Sequence, residues 1–165
     1  MTTIAYDTKT LVSDSRSSIG DMIYEEDAQK IFTNVGPFTV VGISGAYQDA
    51  MDIIKIINDY TQVDHIRGIP FEELGQASLL GITYEGELWG YAGDQSCKLR
   101  EDKPFAIGSG SQFALAAMDL GKTAEEAVIY ASTRDIFTND VLQRAELISL
   151  DEIPETEEKD DKDSD

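Results

Sequence analysis

With 165 residues, 41% of them hydrophobic, the chain can bury one substantial core and is most simply a single globular domain. Its 32 acids against 13 bases, a net charge of −19, argue against partners held by phosphate contacts, which need clustered Lys and Arg; neither nucleic acid nor an anionic membrane is expected. The single cysteine, Cys97, excludes an intramolecular disulfide, and no apolar run approaches the roughly 20 residues that span a bilayer.

The chain reads as strand from its start. Residues 3–7, TIAYD, and 10–14, TLVSD, are short β-type runs with only Thr8 and Lys9 between them, which predicts a hairpin. A polar loop, SRSSIGDMIYEEDA (15–28), leads to KIFTN (30–34) and FTVVGIS (38–44), a second strand pair joined through VGP. From Ala46 to about Tyr60, the residues Ala46, Ala50, Ile53, Ile54 and Ile57 recur at helical spacing with Gln48, Asp49, Asp52 and Lys55 between them, an amphipathic helix. Another helix is read through FEELGQAS (71–78), followed by two alternating strands in LLGITYEGELWGYAG (79–93) about Glu85 and Gly86.

A short strand, PFAIG (104–108), then meets SGSQFALAAMDLG (109–121), a helix ending at Gly121. The last helix starts with a capping box, Thr123 three residues before Glu126, and is read through Ala127, Val128, Ala131 and Ile136. ELISLDEI (146–153) is a closing strand. Strands, a helix, more strands and two helices predict an α+β sandwich, two antiparallel sheets covered by helix layers. Residues 151–165 hold nine acids and two lysines, a net −7 that leaves −12 on residues 1–150. The domain is therefore expected over 1–150, with an acidic disordered tail at 151–165. A start without a basic n-region and apolar h-region predicts a cytoplasmic protein.

Familiar catalytic patterns are missing. The stretch GISGA places Ala46 where a serine-hydrolase elbow needs its last Gly, and GSGSQF places Phe113 where a dinucleotide fingerprint needs its third. His65 is the only histidine and reads as a surface residue, and no Cys/His cluster suggests a metal. The N-terminus offers other chemistry. Methionine aminopeptidase generally removes Met1 when a small residue follows, so the mature chain is expected to begin at Thr2 with a free α-amine. One residue then carries a hydroxyl nucleophile and a base with a reference pKa of about 7.7–8.0, a combination that needs no histidine. By itself, a Met-Thr start is more often an ordinary terminus.

Several motifs then converge in order. TTIAY at the start, LVSDSRSS (11–18), DAQKIF (27–32), GISGAYQDA (42–50), AIGSGSQFA (106–114) and STRDIFTND (132–140) together resemble the proteasome β-subunit and HslV family of N-terminal nucleophile hydrolases, over roughly residues 2–148. That resemblance implies a four-layer αββα sandwich, cofactor-free endopeptidase activity on protein or peptide inside a self-assembled homo-oligomeric ring, and stacked rings fed by an ATPase unfoldase. It implies Thr2 as nucleophile, Lys30 as the cation that lowers the hydroxyl pKa, Asp14 as the group that fixes this lysine, and the N–H of Gly45 as oxyanion donor. Ser109 and Asp135 would complete the network around the amine and hydroxyl, with Arg16 and Thr138 in support. Ser17 and Ser18 correspond to substrate-strand contacts, and Ile43 and Tyr47 to the first specificity pocket. Read without the resemblance, Lys30 is a strand-end lysine, Asp14 a turn acid, and Ser109 and Asp135 helix caps.

The chain departs from the family pattern in its tight first hairpin, its short length and its acidic tail. TND is more HslV-like and SDSR more proteasome-like, while the lack of a propeptide before Thr2 resembles HslV. Two other functions remain open. An amidase of the same chemistry would act on a small amide, with Ile43 and Tyr47 offering room for a modest apolar group. A catalytically inactive acidic protein of the same fold would bind a basic partner.

Overall fold

The computed structural model describes residues 2–66, 76–92 and 95–147. Strands β1 (Thr3–Tyr6) and β2 (Thr10–Ser13) form the expected hairpin, with Ala5 opposite Val12 and Tyr6 opposite Leu11. Asp7 shapes its turn, accepting the N–H groups of Lys9 and Thr10 at 3.0 and 2.8 Å. Residues 15–28, read as loop, contain a two-stranded ribbon, β3 (Ser17–Ile19) and β4 (Met22–Glu25). Its apolar side chains, Ile19, Met22, Ile23 and Tyr24, are all exposed, so no alternating buried face marked it as strand.

Strands β5 (Ile31–Val35) and β6 (Phe38–Gly45) follow as predicted, and helix α1 (Tyr47–Asn58) buries Ala50, Ile53, Ile54 and Ile57. A short helix, α2 (Val63–Ile66), was not read from the sequence; His65 on it is exposed, as expected. The helix expected through 71–78 lies largely outside the described residues, and its last two, Ala77 and Ser78, open strand β7 (Ala77–Thr83). β8 (Leu88–Ala92) pairs with β7 around the expected turn, and β9 (Gln95–Lys98) adds an edge strand that the sequence did not reveal.

β10 (Phe105–Gly108) leads into α3 (Ser111–Asp119). α4 (Ala124–Ser132) starts with the predicted Thr123–Glu126 capping box but ends before Ile136, which lies beyond it and is 71% exposed. The closing strand β11 is Gln143–Glu146, ahead of the expected 146–153. Residues 148–165, including the expected acidic tail, lie outside the described residues.

Beside the β3–β4 ribbon, the other described strands form two antiparallel sheets, ordered β10-β1-β2-β11 and β5-β6-β7-β8-β9. Period-2 alternation sends successive side chains to opposite faces, and here both faces are covered. Ile4, Tyr6 and Leu11 of the first sheet meet Val40, Leu80, Ile82 and Leu88 of the second in one core. Ala5 and Val12 point the other way, against Ala114, Ala117, Ala127, Val128 and Ala131 of α3 and α4. On the far side, Phe38, Val41, Ile43 and Leu79 pack against Ala50, Ile53, Ile54 and Ile57 of α1. Helices, sheet, sheet and helix stack as the αββα sandwich expected from the sequence. Among the described residues no helix is long and apolar enough to cross a membrane.

Asp7 also ties this sandwich together, because its second oxygen accepts the N–H of Ala124 at 2.8 Å, an otherwise unpaired donor in the first turn of α4. Burial raises its pKa, but the N–H groups of Ala124, Thr10 and Lys9 outweigh that and hold it below the usual aspartate value. Asp7→Ala is expected to cost about 1–2 kcal/mol in urea unfolding at pH 7. Since the folded-state pKa is lowered, the contribution is present above the unfolded aspartate value of about 3.9 and is lost as the pH falls through the folded one. The gap between wild type and variant should therefore close in acid.

Candidate active site

Thr2 stands at the head of β1, the strand flanked by β10 and β2 within its sheet, and is only 2% exposed. The hairpin register sets its first neighbour. Ile4 faces Ser13, so the next pair along is Thr3 with Asp14, joined by an Asp14 N–H to Thr3 carbonyl bond of 3.2 Å. The Asp14 carboxylate thus lies under Thr2. Its Oδ1 accepts from the Thr2 hydroxyl, from the Thr3 N–H at 2.9 Å and from Lys30 Nζ at 2.9 Å. Its Oδ2 accepts the N–H groups of Arg16 and Asn139, at 3.0 and 3.2 Å.

Lys30 comes from the other sheet, immediately before β5. Its carbonyl accepts the Ile43 N–H at 3.0 Å, and its side chain crosses to the first sheet. There the buried ammonium donates to Thr2 Oγ1, to Asp14 and to the Arg16 carbonyl, which uses all three of its protons. Burial pushes the Lys30 pKa down, because desolvation penalises the charged form, while the charge of Asp14 opposes the shift without cancelling it.

A second polar group lies at the Thr2 carbonyl. Asp135 Oδ2 accepts from Ser109 Oγ at 2.7 Å and from Thr138 Oγ1 at 2.6 Å, and Thr138 meets the Thr3 hydroxyl at 2.7 Å. Ser109 also lies 3.4 Å from the Thr2 carbonyl oxygen, a long contact for a hydroxyl whose one proton has a shorter acceptor. Gly108 brings the two segments this close. It has φ +96°, and a Cβ there would sit 1.9 Å from the Thr2 carbonyl oxygen.

A cavity of about 100 Å³ opens in front of Thr2 and Lys30. Ser17 and Ser18 of β3 line it, as do Ile43, Gly45 and Tyr47 around the end of β6 and the start of α1. Gly45 has φ +98°, and a Cβ there would lie 2.0 Å from the Gln76 carbonyl oxygen, so the backbone turn and the close approach both require glycine. Ala46 and Ala50 add apolar wall. Arg16 also lines the cavity; its guanidinium bonds Glu26 at 3.2 Å and the Ile136 carbonyl at 2.8 Å, pinning the base of the β3–β4 ribbon to the segment after α4.

The structure thus brings Thr2, Asp14 and Lys30 into direct contact and puts Ser17, Ser18, Ile43, Gly45 and Tyr47 around the adjoining cavity. Ser109, Asp135 and Thr138 gather outside the cavity lining, where Ser109 comes to 3.4 Å from the Thr2 carbonyl and Thr138 meets the Thr3 hydroxyl. Two side chains of this neighbourhood were missed. Asn139 accepts the Ser15 N–H at 2.9 Å and donates to the Glu26 carbonyl at 2.9 Å, and Gln143 bonds the backbone beside Lys30. Asn139 lies within STRDIFTND but was given no role there, and Gln143 belongs to no pattern that spacing reveals. Among the described residues no group of His, Cys, Asp and Glu is arranged to hold a metal ion.

No family model matches the chain. It is 23% identical over 168 residues to proteasome subunit beta 1 of Thermococcus onnurineus (strain NA1), a match spanning 83% of this chain and 81% of that protein. Among solved structures it is similar to eukaryotic HslV from Trypanosoma brucei, with a TM-score of 0.68, 23% identity, and coverage of 87% of this chain and 97% of the other. Both likenesses run along most of the chain, so the resemblance to the proteasome β-subunit and HslV family holds, and the αββα sandwich is the fold that the chain shares with HslV.

Proposed function

We propose that the chain is an N-terminal threonine peptidase. The observation that carries this reading is the contact of Thr2 Oγ1 with a buried lysine ammonium that Asp14 fixes from below, at the mouth of a cavity. After removal of Met1, the α-amine of Thr2 takes the hydroxyl proton as Oγ attacks the scissile carbonyl carbon. The charge of Lys30 stabilises the developing alkoxide, all the more because it is held out of water. The N–H of Gly45 serves the oxyanion. The amine then returns its proton to the leaving nitrogen, which departs as the C–N bond breaks, and water hydrolyses the ester left on Thr2. Asp135 and Thr138 anchor the Thr3 side chain next to Thr2, with Ser109 packed at the Thr2 carbonyl, which keeps the first residues of β1 in place for these transfers. The resemblance to the proteasome β-subunit and HslV family supports peptide hydrolysis in a ring assembly and suggests an ATPase unfoldase as the partner.

The cavity favours a second reading as well. About 100 Å³ is small against the 300–1,000 Å³ of typical ligand pockets, and it takes one aliphatic side chain or one small amide. Cleavage of an unfolded protein such as casein would distinguish the peptidase from an amidase that turns over only small amides. An inactive binding protein is the weaker reading, since it has no use for a buried lysine held against a threonine hydroxyl.

The decisive measurement is the intact mass of the chain after exposure to a peptide epoxyketone, which bonds an N-terminal threonine through hydroxyl and amine together. A chain without Met1 carrying one adduct is expected, and Thr2→Ala should carry none; an adduct on Thr2→Ala would overturn the assignment of the nucleophile. Lys30→Met, of similar length without the charge, is expected to lower the rate of adduct formation about 10²–10³-fold.

The pH dependence follows from the same groups. The rate should rise with pH as the α-amine loses its proton, near its reference value of about 8. It should fall again as Lys30 deprotonates, and because burial lowers that pKa, the falling limb should come below the ordinary lysine value of about 10.4. A rate still climbing through pH 11 would show that the charge of Lys30 is not used.

A further inference from the structure

Gln143, on β11, occupies an unusual place in the hydrogen bonding. Its Oε1 accepts two backbone N–H groups, those of Lys30 at 2.9 Å and Ile31 at 3.2 Å. Its Nε2 donates to Ser15 Oγ at 2.8 Å and to the Ala28 carbonyl at 2.7 Å. A primary amide offers two acceptor lone pairs and two protons, so all four are used. The reverse orientation would face the NH₂ group with two N–H donors, which fixes the amide as described.

These four bonds link the segments that carry the two charges of the site. Ser15 lies between Asp14 and Arg16, whose carboxylate and carbonyl receive the Lys30 ammonium; Ala28 and Ile31 flank Lys30 itself. The Lys30 carbonyl is separately held by the Ile43 N–H at 3.0 Å, so the residue is clamped at both backbone groups, by β6 on one side and by Gln143 on the other. β11 belongs to the sheet of Thr2 and Asp14, with Gln143 opposite Ser13. The side chain therefore spans from the sheet of the hydroxyl to the strand of the cation.

We infer that Gln143 is the positioning residue of the site, its amide holding Lys30 in register with Asp14 so that the ammonium stays on the Thr2 hydroxyl. The consequence for catalysis rests on the peptidase reading above; the placement of Lys30 does not. An apolar side chain at 143 would leave two N–H groups, a hydroxyl and a carbonyl without their partner, and water entering to satisfy them would let the lysine out.

The test uses the full chain and two variants, Gln143→Leu, which removes all four bonds, and Gln143→Glu, which keeps a carboxylate oxygen for both N–H groups. Lysine acetylation by acetic anhydride, followed by peptide mass mapping, reads the accessibility of Lys30 against Lys55 and Lys98, whose side chains are 71% and 48% exposed. Acetylation of Lys30 should be at least tenfold faster in Gln143→Leu with Lys55 and Lys98 unchanged, and should stay within about threefold of wild type in Gln143→Glu. Epoxyketone adduct formation in Gln143→Leu should have a maximal rate lowered at least tenfold, with the half-saturating inhibitor concentration within twofold. Lys30 equally protected in Gln143→Leu, protection lost equally in both variants, or an accessible Lys30 with an unchanged adduct rate would each overturn the inference. Absence of any adduct on wild type would instead overturn the peptidase reading, and acetylation would still decide the role of Gln143.

Discussion

A lysine ammonium and an aspartate carboxylate buried together are the constraint around which the rest of this structure is arranged. Removing such ions from water costs several kcal/mol each, and their mutual attraction offsets that only when every remaining proton and lone pair is also satisfied. Here that condition is met by partners from distant parts of the chain. Asp14 accepts five donors, from Thr2, Thr3, Arg16, Lys30 and Asn139. Lys30 spends its three protons on Thr2, Asp14 and Arg16. Few of these groups can move without stranding a charge, so the site is rigid for the same reason that it is costly.

The threonine hydroxyl sits between the two ions, accepting a hydrogen bond from the Lys30 ammonium and donating one to the Asp14 carboxylate. On the peptidase reading, the ammonium on Oγ is the group that would stabilise an alkoxide there, while the Asp14 carboxylate opposes that charge and serves to hold the ammonium in place. The lowered pKa of Lys30 belongs to this balance. Burial that makes the charge costly also makes it strong, because no water screens it from the group it acts on.

How much of this was legible in the sequence depended on how local each feature is. The first hairpin was readable because two strands separated by two residues have one simple pairing, and that pairing alone puts Asp14 next to Thr3. α1 and the capped start of α4 were readable from period and cap. The β3–β4 ribbon was hidden because its apolar residues face solvent, and β11 was displaced because its burial alternates only between partial and none. Lys30 and Asp135 gained meaning only from the order of motifs along the chain. Asn139 and Gln143 stayed invisible: the Gln143 bond to Lys30 spans 113 residues, and a single amide on a strand has no periodicity to announce it.

Thr2 and Lys30 come from different sheets, so the geometry of the site is also a matter of how the sheets pack. Thr2 and Asp14 are set by β1 and β2; Lys30 is set by β5 and by its carbonyl bond to Ile43 on β6. Between the sheets lie Ile4, Leu11, Val40 and Leu80, each at most 2% exposed, and interiors of this density do not slide continuously. The apolar layer sets the spacing across the sandwich, and polar side chains at its end, Lys30 in one direction and Gln143 in the other, fix the register within it. A change in the apolar layer would therefore be felt at Thr2 as a displacement of the ammonium. Burying the ionic pair at the junction of two sheets makes the stability of the fold and the placement of the ammonium depend on the same contacts.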